Sequence, residues 1–306
     1  MAAAAPFPFA AEAAALASSV LWAGAGIVFR RMRGVVPPAA LNFTKNGVAT
    51  LCFVVTGLVF TGRAYPSHVP LAAQGWLALS GLVGLAVCDT FLLRAMMEIG
   101  PRRATLLMLT APVLVFVGAL FPPFSQTGAL HEPRTLVGAA LALGGVALTA
   151  FEAPDLAVDP ARARRGVIDG LVAGVLQAAG VLLARLGLEG GAAPQDAAML
   201  RLVAGTAGLV LGAVAFGRVT TWARALATPG TLRTVAAAAF FGTFLGILLN
   251  QCGLAWSAHT GVVSTLNALA PVWLIPMSRV FLGEHHGRLA WLSTVVALAG
   301  VALLSA

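Results

Sequence analysis

Val36-Pro37-Pro38-Ala39-Ala40-Leu41-Asn42-Phe43-Thr44-Lys45 and Pro194-Gln195-Asp196-Ala197-Ala198-Met199-Leu200-Arg201 are one pattern written twice. Each opens with proline, passes through a short polar stretch, and places one basic residue near the start of an apolar, glycine-rich run. Lys45 and Arg201 are 156 positions apart, and other landmarks return at nearly the same offset and in the same order. Arg30 and Arg185 each end an apolar run. Ala111-Pro112-Val113 returns as Ala270-Pro271-Val272, and Gly145-Val146-Ala147-Leu148 as Gly300-Val301-Ala302-Leu303. A unit of half the chain has been duplicated.

Composition names the solvent of that unit. The 306 residues are 59% hydrophobic and only 10% charged, against roughly a quarter charged in soluble domains. So few charges cannot wet a globule of this size, and they collect between the apolar runs. Those runs lie near 13–29, 42–61, 71–97, 103–121, 135–151, 167–184, 197–217, 234–256, 260–282 and 289–305. Each reaches the length of about 17–20 residues that a spanning helix needs. None alternates apolar with polar as barrel strands do. The expectation is an all-α integral membrane protein of ten transmembrane helices, five per repeat. The first unit covers 1–151, a polar linker 152–166, and the second unit 167–306. The first run is read as a span and not a signal peptide, because no Lys or Arg precedes it and Arg30-Arg31-Met32-Arg33 follows it.

Other classes find little support. Cys52, Cys88 and Cys252 lie inside apolar runs with no CxxC pair, so they read as small hydrophobes and no metal or cofactor is expected. The +8 net charge is scattered over loops, where it reports membrane orientation and not nucleic-acid binding. No GxxxxGK[ST] phosphate loop is present, so direct ATP drive within the chain has no support.

Five spans per unit force the second unit into the membrane from the opposite side. The two are then inverted repeats, the architecture of secondary transporters, with a site near the midplane between halves that exchange conformation. An integral-membrane enzyme acting on a lipid-linked substrate and a passive channel are the rival classes. The enzyme reading leaves the inversion unexplained.

These residues resemble the drug/metabolite transporter superfamily, of the ten-helix EamA-domain type. The shared features are the basic residues ending the first helix of each unit (Arg30, Arg185), the Pro-then-basic start of the second (Lys45, Arg201), the proline of the fourth (Pro112, Pro271), and Leu282-Gly283-Glu284 before the last helix. The first unit lacks the equivalent Gly-Glu. The resemblance implies a transporter, commonly an exporter, of small metabolites such as amino acids or organic acids. It also implies no enzyme activity and a multi-pass location in the inner or plasma membrane. A monomer or homodimer, with protons as candidate coupling ion, completes the expectation.

Polar groups within spans cost free energy and should face a cavity or a partner. Asp89 reads as a proton-coupling carboxylate, or as one paired to Arg94, Arg30 or Lys45. Lys45 and Arg201 read as cations that draw an anionic substrate inward, or as side chains snorkelling to opposite interfaces. Gln177, Asn250 and Asn267 offer hydrogen bonds and Trp22 a flat wall, a combination suited to a small-molecule pocket. Asp89→Asn is expected to abolish concentrative transport while leaving exchange and folding intact. The glycine series at 166, 170 and 174, and the pairs 208/212 and 242/246, read as helix-packing ridges. The mid-span prolines 112, 271 and 276 read as kinks.

Orientation pits two arguments against each other. Of the 19 Lys and Arg residues, only Arg63, Arg134, Arg185 and Arg201 fall on the N-terminal side of the membrane. Cytoplasmic loops carry the basic excess, which puts both termini outside, whereas the family resemblance implies both inside. The charge rule is preferred because the bias survives removal of the intramembrane Lys45, Arg94, Arg185 and Arg201. A C-terminal green-fluorescent-protein fusion should stay dark and an alkaline phosphatase fusion be active; a bright, phosphatase-silent pair would reverse the assignment.

Overall fold

A computed structural model describes residues 8–118, 121–124, 133–150, 159–256 and 260–305. Among these residues the regular structure is helical throughout. Helix α1 (Ala10–Arg31) is followed by α2 (Pro38–Thr61), which starts on Pro38 in its first turn and stops at Gly62, held at φ 68°. Proline suits a first turn because its missing N–H would have no partner there, and glycine is the residue that tolerates the left-handed stop.

The third span, Leu71–Ile99, is one continuous rod of three pieces: α3 (Leu71–Ser80), a π-helical stretch Gly81–Cys88, and α4 (Asp89–Ile99). After Gly100-Pro101 come α5 (Pro101–Leu107) and α6 (Thr110–Gly118), then α7 (Pro133–Ala150). The second unit repeats the order. It has α8 (Pro160–Glu189) and α9 (Pro194–Ala215), then α10 (Val219–Ala227), a short surface helix with no buried residue. A second rod follows with its own π-helical stretch, α11 (Thr231–Ala238), Ala239–Leu245 and α12 (Gly246–Trp256). The chain closes with α13 (Thr260–Asn267), α14 (Ala270–Leu282) and α15 (Arg288–Ser305).

Seven of the described helices are long and apolar enough to cross a membrane. The fifth and tenth expected spans are shorter apolar helices, Leu136–Thr149 and Arg288–Leu304. The fourth is interrupted between α5 and α6. The expected linker 152–166 divides: 151–158 lie outside the described residues, and 160–166 form the first turns of α8, which Asp159 caps by accepting a bond from the Ala161 N–H at 3.3 Å. The expected proline kinks are also displaced. The fourth and ninth spans break upstream, after Leu107 and after Asn267, and Pro112 and Pro271 then sit in the first turn of the following helix. Pro276 alone lies inside a helix.

The halves interlock by reciprocal contacts. Helix α9 packs on the first π stretch and α2 on the second; α8 packs on the first rod and α1 on the second; α7 packs on α15. Individual contacts repeat with the halves exchanged. A Cβ on Gly145 would overlap Ala297, and one on Gly300 would overlap Ala142, its repeat mate. Gly84 lies against Gly180, and Gly242 against Ala25, which occupies the matching position. The Ser18 hydroxyl donates to the Gly246 carbonyl at 2.9 Å, and the Cys88 thiol, mate of Gly246, donates to the carbonyl of Ala173, mate of Ser18, at 3.2 Å. At the crossing of α2 and α9 the hydroxyls of Thr50 and Thr206, themselves repeat mates, meet at 3.3 Å.

Along α2, Asn42 reaches Thr90 and Asn46 reaches Leu85. Along α9, Arg201 sits at Gly81 and Gly208 at Leu82 and Ala86. Helix α2 therefore runs against the third span and α9 along it, so α2 and α9 are antiparallel. Most of the expected glycine ridges pack: Gly166, Gly170 and Gly174 lie on Ile99, Leu107 and Thr110, and Gly208 on Leu82. Gly212 is the exception, with open space around it.

These contacts set an order of stabilities. Gly300→Ala drives a methyl into the Ala142 backbone, which cannot yield as a flexible side chain does, and should cost about 1–3 kcal/mol. Gly212→Ala meets nothing and should be neutral or gain up to about 1 kcal/mol from helix propensity. Thermal unfolding of the two variants in detergent measures the difference; equal midpoints would refute the interlock between α7 and α15.

Candidate functional site

The third span is the element on which the candidate residues converge. Its π-helical stretch replaces the regular i→i+4 bonding, and α2 meets two of its carbonyls with amides. The Asn42 side-chain nitrogen lies 2.8 Å from the Leu85 carbonyl and 3.0 Å from that of Ala86, and Asn46 donates to Leu85 at 3.1 Å. Both asparagines are fully buried. Neither was among the sequence candidates. Their signal is the spacing 42, 45, 46, a polar stripe on one face of an otherwise apolar helix.

Lys45 completes that stripe. Its ammonium donates to the Asp89 carboxylate at 2.5 Å, with the side chains 10% and 16% exposed. Lys45 is therefore no snorkelling anchor, and of the three cations expected to hold Asp89 it is the one in place. Arg94 pairs instead with Asp169 on α8, at 3.2 Å.

Arg201 approaches from the other repeat. Its backbone lies against Gly81, where only the absence of a Cβ leaves room, and its guanidinium reaches Gly84. Gly81 and Asp89 are eight residues apart, a rise of about 12 Å. The two repeat-mate cations thus enter at different depths and point along the same stretch of the third span. Asp89 lies within electrostatic reach of Arg201. Yet its Nε is buried without a hydrogen-bond partner, and no ion pair to it occurs among the described residues. Among the described residues Asp89 is paired with Lys45 alone. The position matching Asp89 in the second rod is Ile247, so the duplication supplies two cations and a single anion.

The uncharged candidates fall into two places. Gln177 on α8 stands 3.7 Å from the Cys88 thiol, beside Asp89. Its repeat mate is Trp22, which packs over Gly246, the mate of Cys88. Asn250, one turn beyond Gly246, accepts a hydrogen bond from Asn267, whose own side-chain oxygen is buried without a partner. Trp273 donates to the Ser19 hydroxyl at 2.9 Å. One region thus holds Lys45, Asp89, Gln177 and Arg201. A second holds Trp22, Asn250 and Asn267, and Trp22 and Gln177 are the equivalent positions that relate them.

The family landmarks also meet in space. Arg30 lies 3.8 Å from Glu284, the Gly-Glu glutamate, and Arg31 donates to the Phe281 carbonyl at 2.7 Å. The end of α1 in the first repeat is thereby tied to the end of α14 in the second.

The sequence model of the EamA-like transporter family matches residues 10–151 and 164–306. No curated protein matches the chain. A solved structure described only as the crystal structure of a protein is similar over 96% of this chain and 94% of its own, with a TM-score of 0.66 and 18% identity. That likeness is one of fold.

The charge arrangement gives an asymmetric expectation. Asp89→Asn leaves Lys45 as an uncompensated buried cation, and removing one partner of a buried pair costs about 3–5 kcal/mol. Lys45→Met leaves Asp89 with Arg201 as a second cation to turn to, and should cost clearly less. The earlier expectation that Asp89→Asn leaves folding untouched is revised accordingly. Unfolding midpoints of the two purified variants test the order; Lys45→Met falling below Asp89→Asn would contradict it.

Proposed function

We propose that the chain, which belongs to the EamA-like transporter family, is a secondary transporter, acting as an exporter, of small organic acids or amino acids in the inner or plasma membrane. The family is one of membrane transporters and the described helices make the protein multi-pass. On this reading the ten expected spans act as two inverted five-helix units, and the site between them opens to either side in turn. The observation that carries the substrate class is the half-buried Arg201, whose Nε is buried without a hydrogen-bond partner beside a Lys45–Asp89 pair that is already closed. A buried cation without a counter-ion is costly, and an anionic substrate group supplies what is missing. Gln177, Asn250 and Asn267 would bond the rest of the molecule, with Trp22 as an apolar wall. The buried oxygen of Asn267 calls for a donor on that part of the substrate.

Asp89 is the proposed carrier of a coupled proton. Protonation would release Lys45 from its partner, and two free cations would then hold the anion more firmly. Binding of the proton and binding of the anion would then favour each other.

Arg201→Gln removes the free cation without breaking an ion pair, which makes it the informative variant. In proteoliposomes it should lower transport of the carboxylic acid about 10-fold or more relative to its amide, in line with loss of a charge-assisted bond, at unchanged protein yield. Unchanged discrimination would remove the anionic-substrate reading. Substrate-induced pH change in weakly buffered vesicles tests coupling, and its absence would leave Asp89 a purely structural partner.

A further inference from the structure

A second charged site lies at the end of the bundle, apart from the Lys45–Asp89 pair. The loop from α1 to α2, the last turns of α4, the first turns of α8 and the surface helix α10 enclose a cavity of about 730 Å³. Arg33, Arg94, Arg162 and Arg165 line it, with Glu98 and Asp169 as its carboxylates. Both carboxylates are engaged: Arg33 donates to Glu98 at 3.2 Å, and Arg94 lies 3.2 Å from Asp169. Arg162 and Arg165 have no ion-pair partner among the described residues, and both are exposed at the wall. Three residues apart, they lie on one face of α8, near Asp169 one turn further on. They also crowd positive charge into the first turns of a helix whose macrodipole is positive at that end. That placement is unfavourable by itself and relieved by an anion.

We propose that this cavity is an anion-binding vestibule, taking a carboxylate or phosphate group through Arg162 and Arg165. Arg33 and Arg94 are held in the wall by their carboxylates and add to the positive field. Arg94 is five residues beyond Asp89 on one rod, a rise of about 7.5 Å. The vestibule is therefore distinct from the buried pair yet lies along the same helix. Its existence does not depend on what the buried pair carries. The anionic group could belong to a free solute or to a phospholipid headgroup, and both use the same chemistry.

The full-length protein in phosphatidylcholine nanodiscs, titrated with inorganic pyrophosphate by calorimetry, tests the site. Wild type should bind, and more weakly as salt rises. Arg162→Gln/Arg165→Gln should weaken binding about tenfold. Thr221→Glu, which adds a carboxylate to the α10 wall and leaves every arginine in place, should weaken it comparably. Arg201→Gln should leave it unchanged. If phosphatidylglycerol in the nanodisc competes with pyrophosphate in wild type and not in the double variant, the occupant is a lipid headgroup; without competition it is a soluble anion. Equal binding by wild type and both vestibule variants, or loss of binding in Arg201→Gln alone, would overturn the proposal.

Discussion

In hydrocarbon, a backbone carbonyl turned away from its own helix must find a donor from the protein, since water is absent. The two π-helical stretches, Gly81–Cys88 and Ala239–Leu245, place that demand at the middle of the bundle. In the first, Asn42 and Asn46 answer it, and by doing so they fix the depth and rotation of α2 against the third span. Lys45, on the same helical face, is thereby aimed at Asp89. The position of the charged pair follows from satisfying neutral backbone groups beside it.

The duplication then explains why the centre is electrically unbalanced. A repeat carries each landmark twice, so Lys45 brings Arg201. Asp89 has no copy, because its counterpart is Ile247. Trp22 and Gln177 diverge in the same way, one flat and apolar, the other a hydrogen-bonding amide. The scaffold remains close to symmetric in its glycine contacts, while the residues with chemistry have departed from it.

Much of this was legible before any coordinates. The repeat offset, the absence of alternating strands and the sparse charge lead to two helical units, and the antiparallel course of α2 and α9 agrees with the inversion argued from an odd span count. Lys45, Asp89, Gln177 and Arg201 stood out as polar groups in apolar runs, and they do share a region. What sequence could not supply was partnership. Nothing local says that Asp89 chooses Lys45 and leaves Arg94 to Asp169, because those choices depend on how distant helices rotate against each other. The breaks in the fourth and ninth spans were also misplaced. Proline in a first turn and proline at a mid-helix kink look alike in sequence, and the residues that end the preceding helix, near Met108 and Ala268, carry no strong stop signal. Gly212 shows the converse: a glycine at packing spacing with no neighbour to pack on.

The seam between α7 and α15 has a consequence for how the two halves are held in register. Gly145 opposes Ala297 and Gly300 opposes Ala142, so each close approach occurs twice, once in each direction. Sliding one helix by a single residue would not relax one tight contact at the expense of another. It would replace both small-residue notches at once with larger neighbours. The seam therefore works as a keyed joint with one seating.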